Sequence, residues 1–85
     1  ALALVRALRS AADTAWTNSV SATIDVGAAV LRNTSGVIPD YFGIAHPETL
    51  APLSDWGDLS EAIALVAAQV GPVRLIDNIT LTRPA

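Results

Sequence analysis

Two apolar runs on either side of a two-residue break, EAIALVAAQV (Glu61–Val70) and VRLIDNITL (Val73–Leu81) flanking Gly71-Pro72, constrain this chain more than any other feature. In an extended second run, Val73, Leu75, Asp77, Ile79 and Leu81 fall on one face, and Arg74, Ile76, Asn78 and Thr80 on the other. The first run is apolar on both faces, which suits a strand covered on both sides or a central strand with a partner surface above it. Its alanines and leucine pull toward helix, but Gly-Pro is turn chemistry and a β-rich run follows at once, so the pair predicts a hairpin. Asp77 and Asn78 are the polar exception. Buried without partners they would cost a few kcal/mol, so they are exposed or satisfied, either by local backbone amides at a strand end or bulge, or by contact with another domain.

Upstream, the period changes to that of a helix. Leu4, Val5, Leu8, Ala12, Ala15 and Trp16 recur at three- and four-residue steps with Arg6, Arg9, Ser10 and Asp13 opposite, predicting an amphipathic helix from Leu2 to about Thr17. Thr17-Asn18-Ser19 offers an N-cap for a second helix whose buried stripe is Ile24, Ala28 and Leu31, with Asp25 toward water. Gly27 weakens that helix by about 1 kcal/mol relative to alanine. Arg32 sits where it opposes the helix dipole, and Gly36 is placed to take a left-handed cap.

From Val37, Ile38, Phe42 and Ile44 alternate against Pro39, Tyr41 and Gly43, which predicts a strand ended by His46-Pro47; Pro39 cannot donate to a ladder, which places it at an edge or among the strand's first residues. Glu48–Asp58 reads as a surface loop with one helical turn at Thr49–Leu53 and Trp56 folded back over the core, and the tail Thr82–Ala85 as frayed. The whole is one α+β domain over residues 1–85: two helices packed on a three-stranded antiparallel sheet, a two-layer sandwich.

Composition narrows the function by exclusion. With 52% hydrophobic and 15% charged residues the chain forms a core, and with no apolar run near eighteen residues it is not expected to meet a membrane. Five basic residues, all arginine, against eight carboxylates give a net charge of −3 and no basic patch for phosphates, so nucleic acid is not expected as a partner. The absence of cysteine suits a reducing compartment, the cytoplasm. The run ALALVRAL starts in helical pattern without a capping residue, as a fragment of a longer polypeptide would.

Candidate chemistry is sparse. His46 is the sole histidine and makes no metal site alone. Ser54-Asp55 and Asp58-Ser60 are near in sequence, which is not a triad. Glycines at 27, 36, 43, 57 and 71 are too dispersed to cradle a phosphate. No catalytic, cofactor-binding or metal residue is assigned; Arg74, Asp77 and Asn78 remain as structural or interdomain contacts.

Arg74–Ile79 (RLIDNI), preceded by an apolar strand and a short turn, resembles the carboxy-terminal end of the pantoate–β-alanine ligases, the pantothenate synthetase family. Asp40-Tyr41 within VIPDYFGIAHPETLAPL is similar to the family's aliphatic-x-x-Asp-Tyr strand, and the helical ALALVRAL start and the second helix ending at Gly36 keep the family's order, so the resemblance covers nearly the whole chain. It departs at His46-Pro47, Trp56 and Gly27. The resemblance implies an enzyme that activates pantoate with ATP as pantoyl adenylate, with magnesium assisting, after which β-alanine displaces AMP. In that family the nucleotide sits on an amino-terminal Rossmann-like domain with a His-x-Gly-His motif, and a Ser-Arg-Asn stretch at the junction meets the phosphates. Neither motif occurs here. The resemblance therefore implies a carboxy-terminal lid domain, inactive alone, whose partner is the amino-terminal domain of the same polypeptide, with ATP and magnesium belonging to the full-length enzyme. The rival class is a free-standing interaction module without enzyme activity, a homodimer through an exposed sheet face.

Overall fold

The computed structural model describes residues 2–85. Helices α1 (Leu2–Thr14) and α2 (Val20–Arg32) precede strands β1 (Val37–Ala45), β2 (Glu61–Val70) and β3 (Val73–Thr82). The strands form one antiparallel sheet in the order β1-β2-β3. Both helices pack on this sheet, giving the expected α+β sandwich. Val70 pairs with Val73 across Gly71-Pro72, and Gly71 has φ +60°, the left-handed backbone a two-residue hairpin loop requires.

The core lies between the layers. Ala62, Ala64, Val66 and Ala68 of the central strand are buried and meet Leu4, Ala7 and Leu8 of α1 and Val20 and Leu31 of α2 in one cluster. Four small side chains in a row on β2, three of them alanine, let the helices approach the sheet closely.

Helix α1 stops at Thr14 rather than near Thr17, because Trp16 has φ +72° and cannot continue a right-handed helix. Its buried stripe is Leu4, Ala7, Leu8 and Ala11, with Val5, Ala12 and Trp16 at the half-buried margin. The second stripe is also turned from expectation: Val20, Thr23, Gly27 and Leu31 are buried, and Ile24 and Ala28 only half-buried. Gly27 faces the core because the Phe42 ring of β1 occupies the space a side chain there would need. Buried Thr23 is satisfied by donating from Oγ1 to the Ser19 carbonyl at 2.9 Å.

Ser19 caps α2, its hydroxyl accepting from the Ala22 amide at 3.0 Å. Ser19→Ala is expected to cost about 1 kcal/mol, which lowers the thermal midpoint by roughly 4–8 °C in a domain of this size. A midpoint unchanged by the substitution would show that the cap contributes nothing.

β1 is an edge strand, one of the two placements that Pro39 allows. A bulge between Pro39 and Tyr41 inserts Asp40, and this shifts the strand's phase: Ile38 pairs with Gln69 on the outer face, while Phe42 pairs with Val66 on the core face. The expected grouping of Ile38 with Phe42 and Ile44 is thereby corrected. The loop after β1 has no helical turn at Thr49–Leu53. Instead the His46 N–H donates to the Ala51 carbonyl, the Leu50 N–H donates to the His46 carbonyl, and Ala45 bridges Pro52. His46 Nδ1 accepts from the amides of Glu48 and Thr49 at 3.1 and 3.3 Å, so the lone histidine caps this turn. Trp56 packs back against the core, as expected. The tail is not frayed throughout: Thr82 belongs to β3, and Arg83 is tied to the loop by hydrogen bonds to Gly57 and Leu59. Among the described residues no helix is long and apolar enough to cross a membrane.

Candidate functional site

Side chains alternate across a strand, so the register divides the sheet into a face under the helices and an open face. The open face carries Tyr41 and Gly43 from β1, Ile63, Leu65 and Ala67 from β2, and Ile76, Asn78 and Thr80 from β3. At its centre is a shallow groove of about 350 Å³ lined by Tyr41, Leu65, Val66, Ala67, Ile76, Asp77 and Asn78. Ala67 is 5% exposed yet stands outside the core cluster, so what shelters it is this groove's walls. Ile76 beside it is 72% exposed and Ile38 further along is 67% exposed.

Glycine shapes one wall. A side chain at Gly43 would collide with the Tyr41 ring and hydroxyl, so the missing Cβ lets the Tyr41 ring lie along its own strand over position 43.

Arg74 donates from Nε to Asp40 Oδ2 at 2.7 Å. The two residues sit on opposite edge strands, so the ion pair passes over the central strand and joins β1 to β3. Both side chains are more than half exposed, so in this isolated form the pair contributes under about 1 kcal/mol. Asp77 accepts the Asn78 N–H on Oδ1 at 2.8 Å. Asp77 pairs with Val66 and Asn78 with Leu65, so the neighbours project to opposite faces, and Asn78 is the one on the open face. All three residues singled out in the sequence are exposed. The structure brings Asp77 and Asn78 to the groove and sets Arg74 against Asp40 outside its lining. Tyr41, Leu65 and Ile76 line the groove although the sequence alone assigns them no site role; the second apolar face of Glu61–Val70 signals Leu65, and outward alternation in β3 signals Ile76.

The arrangement supplies shape and apolar contact, with Tyr41, Asp77 and Asn78 as its polar residues. Among the described residues no group of three or more His, Cys, Asp or Glu side chains comes together that could hold a metal ion. The glycines at 36, 57 and 71 that have positive φ lie in three separate turns and form no phosphate cradle. These residues do not fit magnesium or a nucleotide triphosphate, and no chemical step is assigned through either.

Comparison with known proteins agrees on one family. The family model for pantoate-beta-alanine ligase matches residues 1–80. Pantothenate synthetase 4 of Frankia alni is 43% identical over 84 residues, covering 99% of this chain and 26% of that protein. The pantothenate synthetase of Koribacter versatilis is 40% identical over 84 residues, 95% of this chain and 28% of its own length. A crystal structure of pantothenate synthetase from Thermus thermophilus superposes with a TM-score of 0.83 at 38% identity, over 96% of this chain and 29% of that one. The chain thus spans between a quarter and a third of the length of these relatives. By sequence along nearly its whole length and by fold, it belongs to the pantoate–β-alanine ligase family.

Proposed function

We propose that these residues are the carboxy-terminal lid domain of an ATP-dependent pantoate–β-alanine ligase of the cytoplasm, closing over a nucleotide site carried by an amino-terminal domain of the same polypeptide. The observation that carries this is the open face. One side of the sheet is covered by the two helices, while the other holds a mainly apolar groove with a largely exposed isoleucine. Such a surface suits burial against a partner better than chemistry. A lid of this kind contributes by excluding water and completing the environment around the reacting groups, and it needs shape, apolar contact and a rigid frame rather than acids and bases of its own. The Asp40–Arg74 pair supplies part of that frame by tying the two edge strands together, and Asn78 offers a polar contact at the groove.

The test is a single-turnover assay on the purified 85-residue chain with ATP, magnesium, pantoate and β-alanine. The expected result is no pantoyl adenylate and no pantothenate, with ATP bound weakly at most. Robust adenylation by these residues alone would overturn the reading. The reading frame upstream of Ala1 supplies the complementary check: the lid proposal requires a Rossmann-like half ending in Ser-Arg-Asn. A free-standing module that dimerises through the open face is the rival outcome, recognised by the absence of that frame and a stable dimer in solution.

A further inference from the structure

Three segments distant in sequence meet where α1 ends. The rings of Trp16 and Trp56 lie with centroids 4.4 Å apart and tilted by 34°. The Arg83 guanidinium sits over the Trp16 ring, 4.6 Å from its centroid. Arg83 also donates from Nε to the Leu59 carbonyl at 2.7 Å and from Nη2 to the Gly57 carbonyl at 2.9 Å, and its backbone N–H donates to the Ser60 carbonyl at 2.8 Å. Trp56 Nε1 donates to the Asn18 carbonyl at 2.7 Å, between the helices.

Segment 54–60 depends on these ties. Among the described residues its remaining hydrogen bond is internal, from the Leu59 N–H to the Trp56 carbonyl. Every bond from the segment to the rest of the fold therefore runs through Arg83 or Trp56.

Trp16 opposes the clasped arrangement in two ways. Its backbone is left-handed at φ +72°, which a bulky L-residue adopts only when its surroundings impose it. Its Nε1 is buried with no hydrogen-bond partner in the protein, a donor desolvated without return. Swinging the ring out returns Nε1 to water, and relaxing the turn as well relieves the backbone. The stacking of Arg83 on Trp16, its fork onto two carbonyls and the Trp56 bond are what offset these two penalties.

We propose that Arg83 is a latch. It holds segment 54–60 closed on the turn between α1 and α2, and when it is withdrawn the segment and Trp16 release together while the helices and sheet stay folded.

Hydrogen exchange on the wild-type chain, Arg83→Ala and Arg83→Lys tests it. In Arg83→Ala the Leu59 amide is expected to exchange tenfold faster or more, with β2 amides unchanged and tryptophan emission shifted to longer wavelength. Arg83→Lys keeps a cation near Trp16 but loses the two-carbonyl fork, so it should fall between. An unchanged Leu59 amide would overturn the latch, and so would an equal rise in the β2 amides, which marks a global stabiliser. If Arg83→Ala does not fold, Arg83→Lys carries the same two outcomes alone.

Discussion

Gly27→Val is expected to destabilise the domain by about 2 kcal/mol, although the helix propensity scale favours valine over glycine at an interior position. A glycine inside a helix is ordinarily a weakness, and an exposed one would be improved by almost any replacement. Gly27 is instead buried on the face of α2 that meets β1, and a Cβ there would overlap the tip of the Phe42 ring. That ring is half-buried between helix and strand, so the clash must be resolved by tilting it or by lifting the helix, and either loosens a contact that cores maintain at close packing. The midpoint of thermal unfolding should fall by roughly 10 °C. The cause is checked with a double-mutant cycle: Phe42→Ala removes the obstacle, so Gly27→Val/Phe42→Ala should lose about 1–2 kcal/mol less than the sum of the two single losses. Simple additivity would show that the two positions do not touch in solution.

The contrast between Gly27 and its neighbours shows what the sequence reveals and what it withholds. Periodicity places both helices, and Gly71-Pro72 between two apolar runs places the hairpin, because these signals are local. The second apolar face of Glu61–Val70 likewise announces a central strand with something above it. Helix rotation is not local. Ile24 and Ala28 look as suitable for a core as Val20 and Gly27, and only the position of Phe42 on another element decides between them. The phase of β1 fails for a similar reason: the bulge at Asp40 inserts one residue, and every side chain before it changes face, so Ile38 emerges on the outer face. The end of α1 escapes local reading because Trp16 fits the helical period yet is turned out of it by Trp56 and Arg83, which lie about 40 and 67 residues away along the chain.

The candidate site divides in the same way. Outward alternation in VRLIDNITL makes Ile76 and Asn78 neighbours on one face, and this is readable from the period of two. That Arg74 crosses the central strand to reach Asp40 needs the strand order and the bulge together, and neither residue alone suggests it. Tyr41 joins the groove because Gly43 leaves room for its ring, a relation between positions two apart that is visible once the strand is known.

Ile76→Asp separates the surface role of this face from a role in stability. In the 85-residue chain Ile76 is 72% exposed and belongs to no core cluster, so the substitution should change the unfolding free energy by no more than about 0.5 kcal/mol. In the complete ligase of the lid proposal, the same side chain is buried when the domain closes. A carboxylate placed in that contact without a partner costs about 2 kcal/mol or more of closed-state stability. Because the closed state is the reactive one in this proposal, kcat/KM for pantothenate formation should fall roughly 30-fold, while Ile76→Val, which keeps the apolar contact, should stay within about threefold. Asn78→Ala on the same face should give a smaller loss, since an uncharged truncation leaves no ion to desolvate. Asp77→Ala provides the internal contrast: its side chain projects from the other face of β3, and it should affect the stability of the strand, through the lost bond to the Asn78 amide, more than closure. An Ile76→Asp ligase with full activity would mean that the open face stays in water throughout turnover, and the lid would then have to close with its helical layer. If Asp77→Ala or Asn78→Ala left folding and closure intact yet abolished adenylation outright, VRLIDNITL would belong to the reacting site itself.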